Sequence, residues 1–290
     1  MKKEKRRWGD RKDAKLVRDI DGMHFIMPLI FPNRSDNEGF ISERIDLTAA
    51  NAYLEKLNEN TPEFKYTLFH LIVTAIMRTV TLRPYMNRFI ANGNLYHRNQ
   101  VSASFVIKKQ FKDESREGLA IVKAKPDTTI FTVHESIRRQ VTECREGKVD
   151  ASSNFMDIFV KMPRWLSKSI LKIVTFLDKR GKVPSSLIAT DPYYATVVLT
   201  NLGSIKMKGG YHHLANWGTN SVFVTIGEKK MRPIFAEDGT YKMADTVDLG
   251  LTVDERIADG YYFSKTVKLL KKLLENPELL EETVETPVEF

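Results

Sequence analysis

Apolar residues alternate with others at Val247, Leu249, Leu251 and Val253, which predicts a strand. The alternation ends at Asp254-Glu255-Arg256, and near Gly260 the spacing becomes helical through Tyr261–Leu274, before Asn276-Pro277-Glu278. The polar turn between them holds its side chains at a strand end, where reactive groups tend to sit. Elsewhere the same two periods recur. Ile41–Leu47 alternates as a strand, with Thr48 as the expected N-cap of a helix over Ala49–Leu57. Phe64–Leu82 places Leu68, Leu71, Ile72, Ala75, Ile76 and Thr79 on one helical face and stops at Arg83-Pro84. Asn92-Gly93 within Phe89–Tyr96 predicts a hairpin, followed by strands Val101–Ile107 and Gly118–Lys123 across a charged turn. A helix over Thr132–Arg145 is expected to open with a capping box from Thr132 to Glu135. Tyr193–Leu199, Ser221–Gly227 and a hairpin over Arg232–Tyr241, turning at Asp238-Gly239, complete an α/β pattern.

Between these elements, residues 155–180 carry Trp165, Leu166, Ile170, Ile173, Val174 and Leu177 at helical spacing, with Lys168, Lys172, Lys179 and Arg180 adding positive charge. Two readings stay open for 164–180: a helix packing its apolar face on the domain, or a basic amphipathic helix that lies on an anionic membrane surface or covers an acyl chain.

Composition narrows the classes. The chain has 290 residues, 42% hydrophobic and 10% aromatic, enough for a globular core, so disorder of the whole is excluded. Cys144 is the single cysteine, which rules out an internal disulfide. With no apolar signal core and no long uncharged apolar run, the expected location is the cytoplasm, with a peripheral place at the membrane left open. The net charge is +8, with basic residues gathered in the first fifteen positions and mid-chain while the last sixteen residues are acidic. The expected organisation is a basic solvated tail at 1–20, one domain at 21–283 with a helical insertion at 155–188, and an acidic tail at 284–290. No recognition motif accompanies the basic tail, so nucleic acid is not expected as a partner.

The turn at 254–260, DERIADG, resembles DHRxxDG, the catalytic motif of the acyltransferase (E2) core domain of 2-oxo acid dehydrogenase complexes, in the chloramphenicol acetyltransferase-like superfamily. Asp254, Arg256, Asp259 and Gly260 match, and Glu255 stands where that family keeps its histidine. Thr200-Asn201-Leu202-Gly203 resembles the family's TNLG strand end, and Asn87 in PYMN fits an asparagine that ends a helix there. GLAIVKAK at 118–125 is similar to a GLxxPVI strand with lysine replacing proline, and Met231-Arg232-Pro233-Ile234 to an MxPV segment. The resemblance is collinear from about residue 24 to 280, without a lipoyl domain or Pro/Ala-rich linker ahead of it, so the core domain alone is expected.

The resemblance implies a two-layer sandwich with a mixed β-sheet flanked by helices, assembled as a homotrimer with sites between subunits. It implies direct acyl transfer from a coenzyme A thioester to a small thiol or hydroxyl acceptor, with no tightly bound cofactor and no metal. Thr200 would hydrogen-bond the oxyanion of the tetrahedral intermediate, and Asp259 would pair with an arginine of the N-terminal region, Arg11 or Arg18. Histidine suits the base because its pKa lies near 6.5, about two units above that of glutamate. Glu255 is therefore an adapted base, a solvent-facing remnant, or the orienting partner of His212 or His213 in the loop Gly209–Gly218. Those two histidines start a near match to the HHxxxDG motif of condensation domains, with Trp217 in the aspartate's place. Two functions follow: an acyl-coenzyme A-dependent acyltransferase with an altered base, or a catalytically degenerate relative serving as an oligomeric binding or scaffold module.

Overall fold

The computed structural model describes residues 6–108, 117–146, 160–184, 188 and 191–290. In chain order its main elements are β1 (Ala14–Leu16), α1 (Gly22–Ile30), β2 (Glu38–Asp46), α2 (Thr48–Leu57), α3 (Leu68–Leu82), β3 (Arg88–Ala91), β4 (Asn94–Arg98), β5 (Ser102–Lys108) and β6 (Glu117–Lys123). There follow α4 (Ile130–Arg145), α5 (Arg164–Lys179), β7 (Val197–Asn201), β8 (Val222–Ile226), β9 (Lys230–Phe235), β10 (Tyr241–Asp254) and α6 (Gly260–Glu275).

The main sheet runs β2-β10-β8-β7-β5-β6, with β9 paired to the first half of β10. It is mixed, because β5–β7 and β7–β8 are parallel pairs and the others antiparallel. Alternation sorts its two faces. Val197, Leu199, Val222, Val224, Leu249, Leu251 and Val253 enter one large core with residues of α2, α3, α4 and α6. Their neighbours Val198 and Phe223 point the other way and are covered by Leu214 from the loop after β7. A small sheet, β1-β4-β3, sends Ile90 and Leu95 into this core and gathers Ala14, Phe89 and Tyr96 in a cluster of its own.

Several boundaries differ from the periodicity. Thr48 is the first residue of α2 rather than its cap, since the Asp46 carboxylate takes both its N–H and its hydroxyl. α3 begins at Leu68 because Thr67 caps it, with the His70 ring accepting from the Thr67 N–H. α4 begins at Ile130, and its capping box joins Thr129 to Thr132, while Glu135 instead pairs with Arg138. The charged turn between β5 and β6 and residues 155–159 of the insertion lie outside the described residues.

Among the described residues, segments near both ends pack on the domain. Arg11 is buried, bonded to the carboxylates of Asp13 and Asp178, and β1 pairs with β4. At the other end Val284 is buried, and Arg78 reaches the Glu282 carboxylate and the Thr286 carbonyl. A buried guanidinium needs acceptors, and these two have drawn the terminal segments onto the domain to supply them. The helix over 164–180 forms as α5, but only Asp178 in it is buried. Leu166, Ile170, Val174 and Leu177 are half-buried, whereas Trp165, Ile173 and Phe176 stay exposed, so the packing reading holds for one edge of the apolar face.

His70 packs at 4.9 Å from the His134 ring, and burial, reinforced by His134, pushes it down to about 4. Between pH about 4 and 6.5 the unfolded chain thus binds a proton that the native chain refuses, and stability falls as pH drops through that window, by up to about 3 kcal/mol. Urea midpoints at pH 7 and 4.5 should show this fall, and His70→Gln should remove His70's share of it. An equal fall in the variant would assign the loss to carboxylates.

Candidate active site

β10 ends in a buried ion cluster. Asp254 has no exposed surface, and Arg256, two residues on, turns back to grip it in bidentate fashion, Nε to Oδ1 at 2.8 Å and Nη2 to Oδ2 at 2.7 Å. Arg34, from the segment after α1, brings its Nε to 3.7 Å from the same carboxylate. Burial pushes the Arg34 guanidinium below its ordinary value, and the Asp254 charge works against that. The spare donors go to backbone: Arg256 to the carbonyls of Phe31 and Pro32, Arg34 to those of Ala215 and Gly218. This cluster fixes the turn that follows. Ile257 and Ala258 are buried, and Asp259 caps α6 by accepting the Tyr262 N–H at 2.7 Å.

Between the buried residues Asp254 and Arg256–Ala258, Glu255 points outward. Its N–H donates to the Asn37 carbonyl at 2.9 Å, and its side chain lies on Gly39, where an added Cβ would come within 2.9 Å of Oε1. The carboxylate is exposed yet held against backbone on one side.

Thr200 is half-buried on the last turn of β7, in register with Thr225 of β8, which is in register with Gly250 of β10. It shares the face of Val198 and Phe223, away from the helices. Glu255 lies five residues further along β10 than Gly250, which is roughly 16 Å along the sheet and two strands across. One chain therefore does not bring the two together. Asn201 accepts the Ser204 N–H, closing a turn over Leu202–Ile205 that contains Gly203. Asn87 is buried as a structural bridge, donating to the Arg98 carbonyl and accepting from the Thr196 hydroxyl. Gly260 opens α6 in open space.

The histidine loop crosses the sheet between these sites. The Thr225 hydroxyl donates to the Gly210 carbonyl, and the loop passes so close to β10 that a Cβ on Gly250 would overlap the Gly210 oxygen. Further along, His212 lies flat on Phe223, with centroids 4.1 Å apart, and stacks on His213 at 4.5 Å. The His212 Nδ1 meets its neighbour's carbonyl at 3.0 Å. Among the described residues neither ring is hydrogen-bonded to Thr200 or Glu255, so within a chain Glu255 does not orient a histidine. The expected pairing of Asp259 is corrected too: Arg11 is committed to Asp13 and Asp178, and Arg18 to Asp10. Of the two aspartates in DERIADG, the one that meets an N-terminal-region arginine is Asp254, through Arg34. The spacing of Asp254 and Arg256 hints at their pair, but nothing local marks Arg34, 220 positions earlier.

Compared with solved structures, the chain superposes on a probable dihydrolipoamide acetyltransferase of Listeria monocytogenes with a TM-score of 0.58, at 16% identity, over 90% of this chain and 94% of that one. This is the chloramphenicol acetyltransferase-like fold. A chloramphenicol acetyltransferase shares it at a TM-score of 0.55 and 13% identity, covering 90% and 99% of the two chains. So does the Azotobacter vinelandii dihydrolipoamide acetyltransferase, at 0.60 and 13%, covering 92% and 94%; a serine, a histidine and an asparagine of that enzyme have been investigated for catalytic roles. In sequence, residues 179–281 match the family model for the 2-oxoacid dehydrogenases acyltransferase catalytic domain. The lipoamide acyltransferase component of the Bos taurus branched-chain alpha-keto acid dehydrogenase complex is 32% identical over 112 residues, 38% of this chain and 23% of the bovine protein. The chain thus matches less than a quarter of the length of that relative.

Two substitutions distinguish the buried cluster from the cap. Arg256→Met strands the Asp254 charge and should lower the unfolding free energy by about 3–5 kcal/mol, whereas Asp259→Ala removes only a helix cap, worth about 1 kcal/mol. Urea denaturation of both checks this, and the reverse order would restore Asp259 to the ion pair.

Proposed function

We propose that the protein transfers an acyl group from a coenzyme A thioester to a small thiol or hydroxyl acceptor, at sites formed between copies of the chain in a homotrimer. The observation that carries this reading is the outward-facing Glu255 between buried residues, Asp254 on one side and Arg256, Ile257 and Ala258 on the other, in a turn fixed by Asp254, Arg256 and Arg34. A surface remnant needs no such support. Glu255 and Asp259 are four positions apart, the spacing of the histidine and asparagine investigated in the Azotobacter enzyme. Thr200 and Glu255 lie at opposite ends of one sheet, so a shared site requires the Thr200 end of one copy to meet the Glu255 end of the next. Exposed apolar side chains flank both ends, Ile205 and Met207 beyond Thr200, Phe25 and Ile30 on α1 beside the turn, and give such a contact its material.

In this reaction Glu255 accepts the proton of the acceptor's S–H or O–H, and the freed sulfur or oxygen attacks the thioester carbonyl. The Thr200 hydroxyl donates to the oxyanion. Collapse breaks the carbon–sulfur bond, and the departing coenzyme A sulfur recovers the proton from Glu255. A carboxylate is a weaker base than imidazole, which favours a thiol over an alcohol as acceptor because less driving force is needed.

A second reading, a scaffold without activity, is favoured by the replacement of the family's histidine. Acetyl transfer from acetyl-coenzyme A to a simple dithiol separates the two. Thr200→Val should lower the rate by about 10²–10³ and Glu255→Gln by about 10²–10⁴, while Glu255→His should retain or raise it. Background rates in both the natural protein and Glu255→His, with no rise in melting temperature on adding acyl-coenzyme A, would leave the scaffold.

A further inference from the structure

The helix α5 presents two adjacent rows that its own domain leaves uncovered. At 3.6 residues per turn, Trp165, Phe176 and Ile173 fall within about 80° around the axis. They are 70%, 55% and 59% exposed. Immediately beside Trp165, Lys172, Lys179 and Lys168 form a second exposed row about 40° wide. The opposite, half-buried edge with Leu166, Ile170, Val174 and Leu177 faces the domain. At its end Asp178 anchors the helix: its carbonyl accepts from Arg11 Nη1 at 2.5 Å and its carboxylate from Nη2 at 3.4 Å. The helix is held at this end with its apolar and basic rows turned to solvent.

We propose that this face of α5 docks the protein on an anionic lipid surface. Charge selects the occupant. Between 161 and 182 there are seven lysines and arginines and one carboxylate, Asp178, which is already paired with Arg11. The row is thus uncompensated locally and adjoins the apolar row along its length, so both can meet a bilayer at once, lysines at the headgroups and Trp165, Ile173 and Phe176 at the acyl boundary. A second copy of the chain fits less well, since α5 against α5 across a two-fold axis brings like-charged lysine rows together. Among the described residues, Lys168, Lys172 and Lys179 make no ion pair with a carboxylate. This inference stands independently of acyl transfer and does not involve Thr200 or Glu255.

Sedimentation of the full chain with vesicles tests it. The protein should pellet with phosphatidylcholine vesicles containing about a third phosphatidylglycerol at low salt, and be released as salt approaches physiological strength or when phosphatidylglycerol is omitted. Lys168→Glu with Lys172→Glu should lower the bound fraction about tenfold or more, with unchanged circular dichroism. Trp165→Ala should weaken binding and abolish the blue shift of tryptophan emission on adding vesicles. Failure of the natural protein to pellet, or equal pelleting of the charge-reversed variant, overturns the proposal. So does a charge reversal that changes the mass of the assembly while leaving lipid binding unaltered, which would make the face a contact between copies.

Discussion

Asp254 and the two arginines that close on it hold together parts of the chain that share no sequence neighbourhood. Burying three ionised groups is costly, and the cost is offset only because every side contributes: Asp254 by both oxygens to Arg256, Arg34 and Arg256 by their remaining donors to backbone carbonyls. Those carbonyls belong to the exit of α1 and to the loop before β8. The cluster therefore ties the N-terminal segment, the end of β10 and the histidine loop to one point.

From that point the candidate site follows. With Asp254 and Arg256 turned inward, the turn leaves Glu255 facing outward, and Asp259 is free to cap α6. The same fixed loop must cross β10 at close range, which Gly250 permits, and His212 settles onto Phe223 with His213 stacked on it. Their aromatic surface is used in covering the face of the sheet that the helices leave bare. Thr200 ends up on that face, at the far end from Glu255, so one chain keeps the two residues apart.

The distribution of charge obeys a related logic. Arg11, Arg34, Arg78 and Arg256 are buried and draw on carboxylates or backbone carbonyls for partners. Lys168, Lys172 and Lys179 on α5 make no ion pair among the described residues and stay in water next to an apolar row.

Much of this was present in the sequence. The alternation of Val247 to Val253 and the shift of spacing at Gly260 mark β10 and α6, Asn92-Gly93 marks the β3–β4 hairpin, and DERIADG with TNLG points to the fold, because each depends on the geometry of a few consecutive residues. Caps were less legible. Thr48, Thr129 and Thr132 are all plausible caps by type, and only the placement of Asp46 and the exact entry of each helix decides among them. Partners were not legible at all. Nothing in a linear pattern says that Arg34 rather than Arg11 or Arg18 meets an aspartate of the motif, that the aspartate is Asp254, or that both termini are drawn in by Arg11 and Arg78. Such pairings depend on which charges the folded sheet and helices leave without water, and that is a property of the tertiary structure alone.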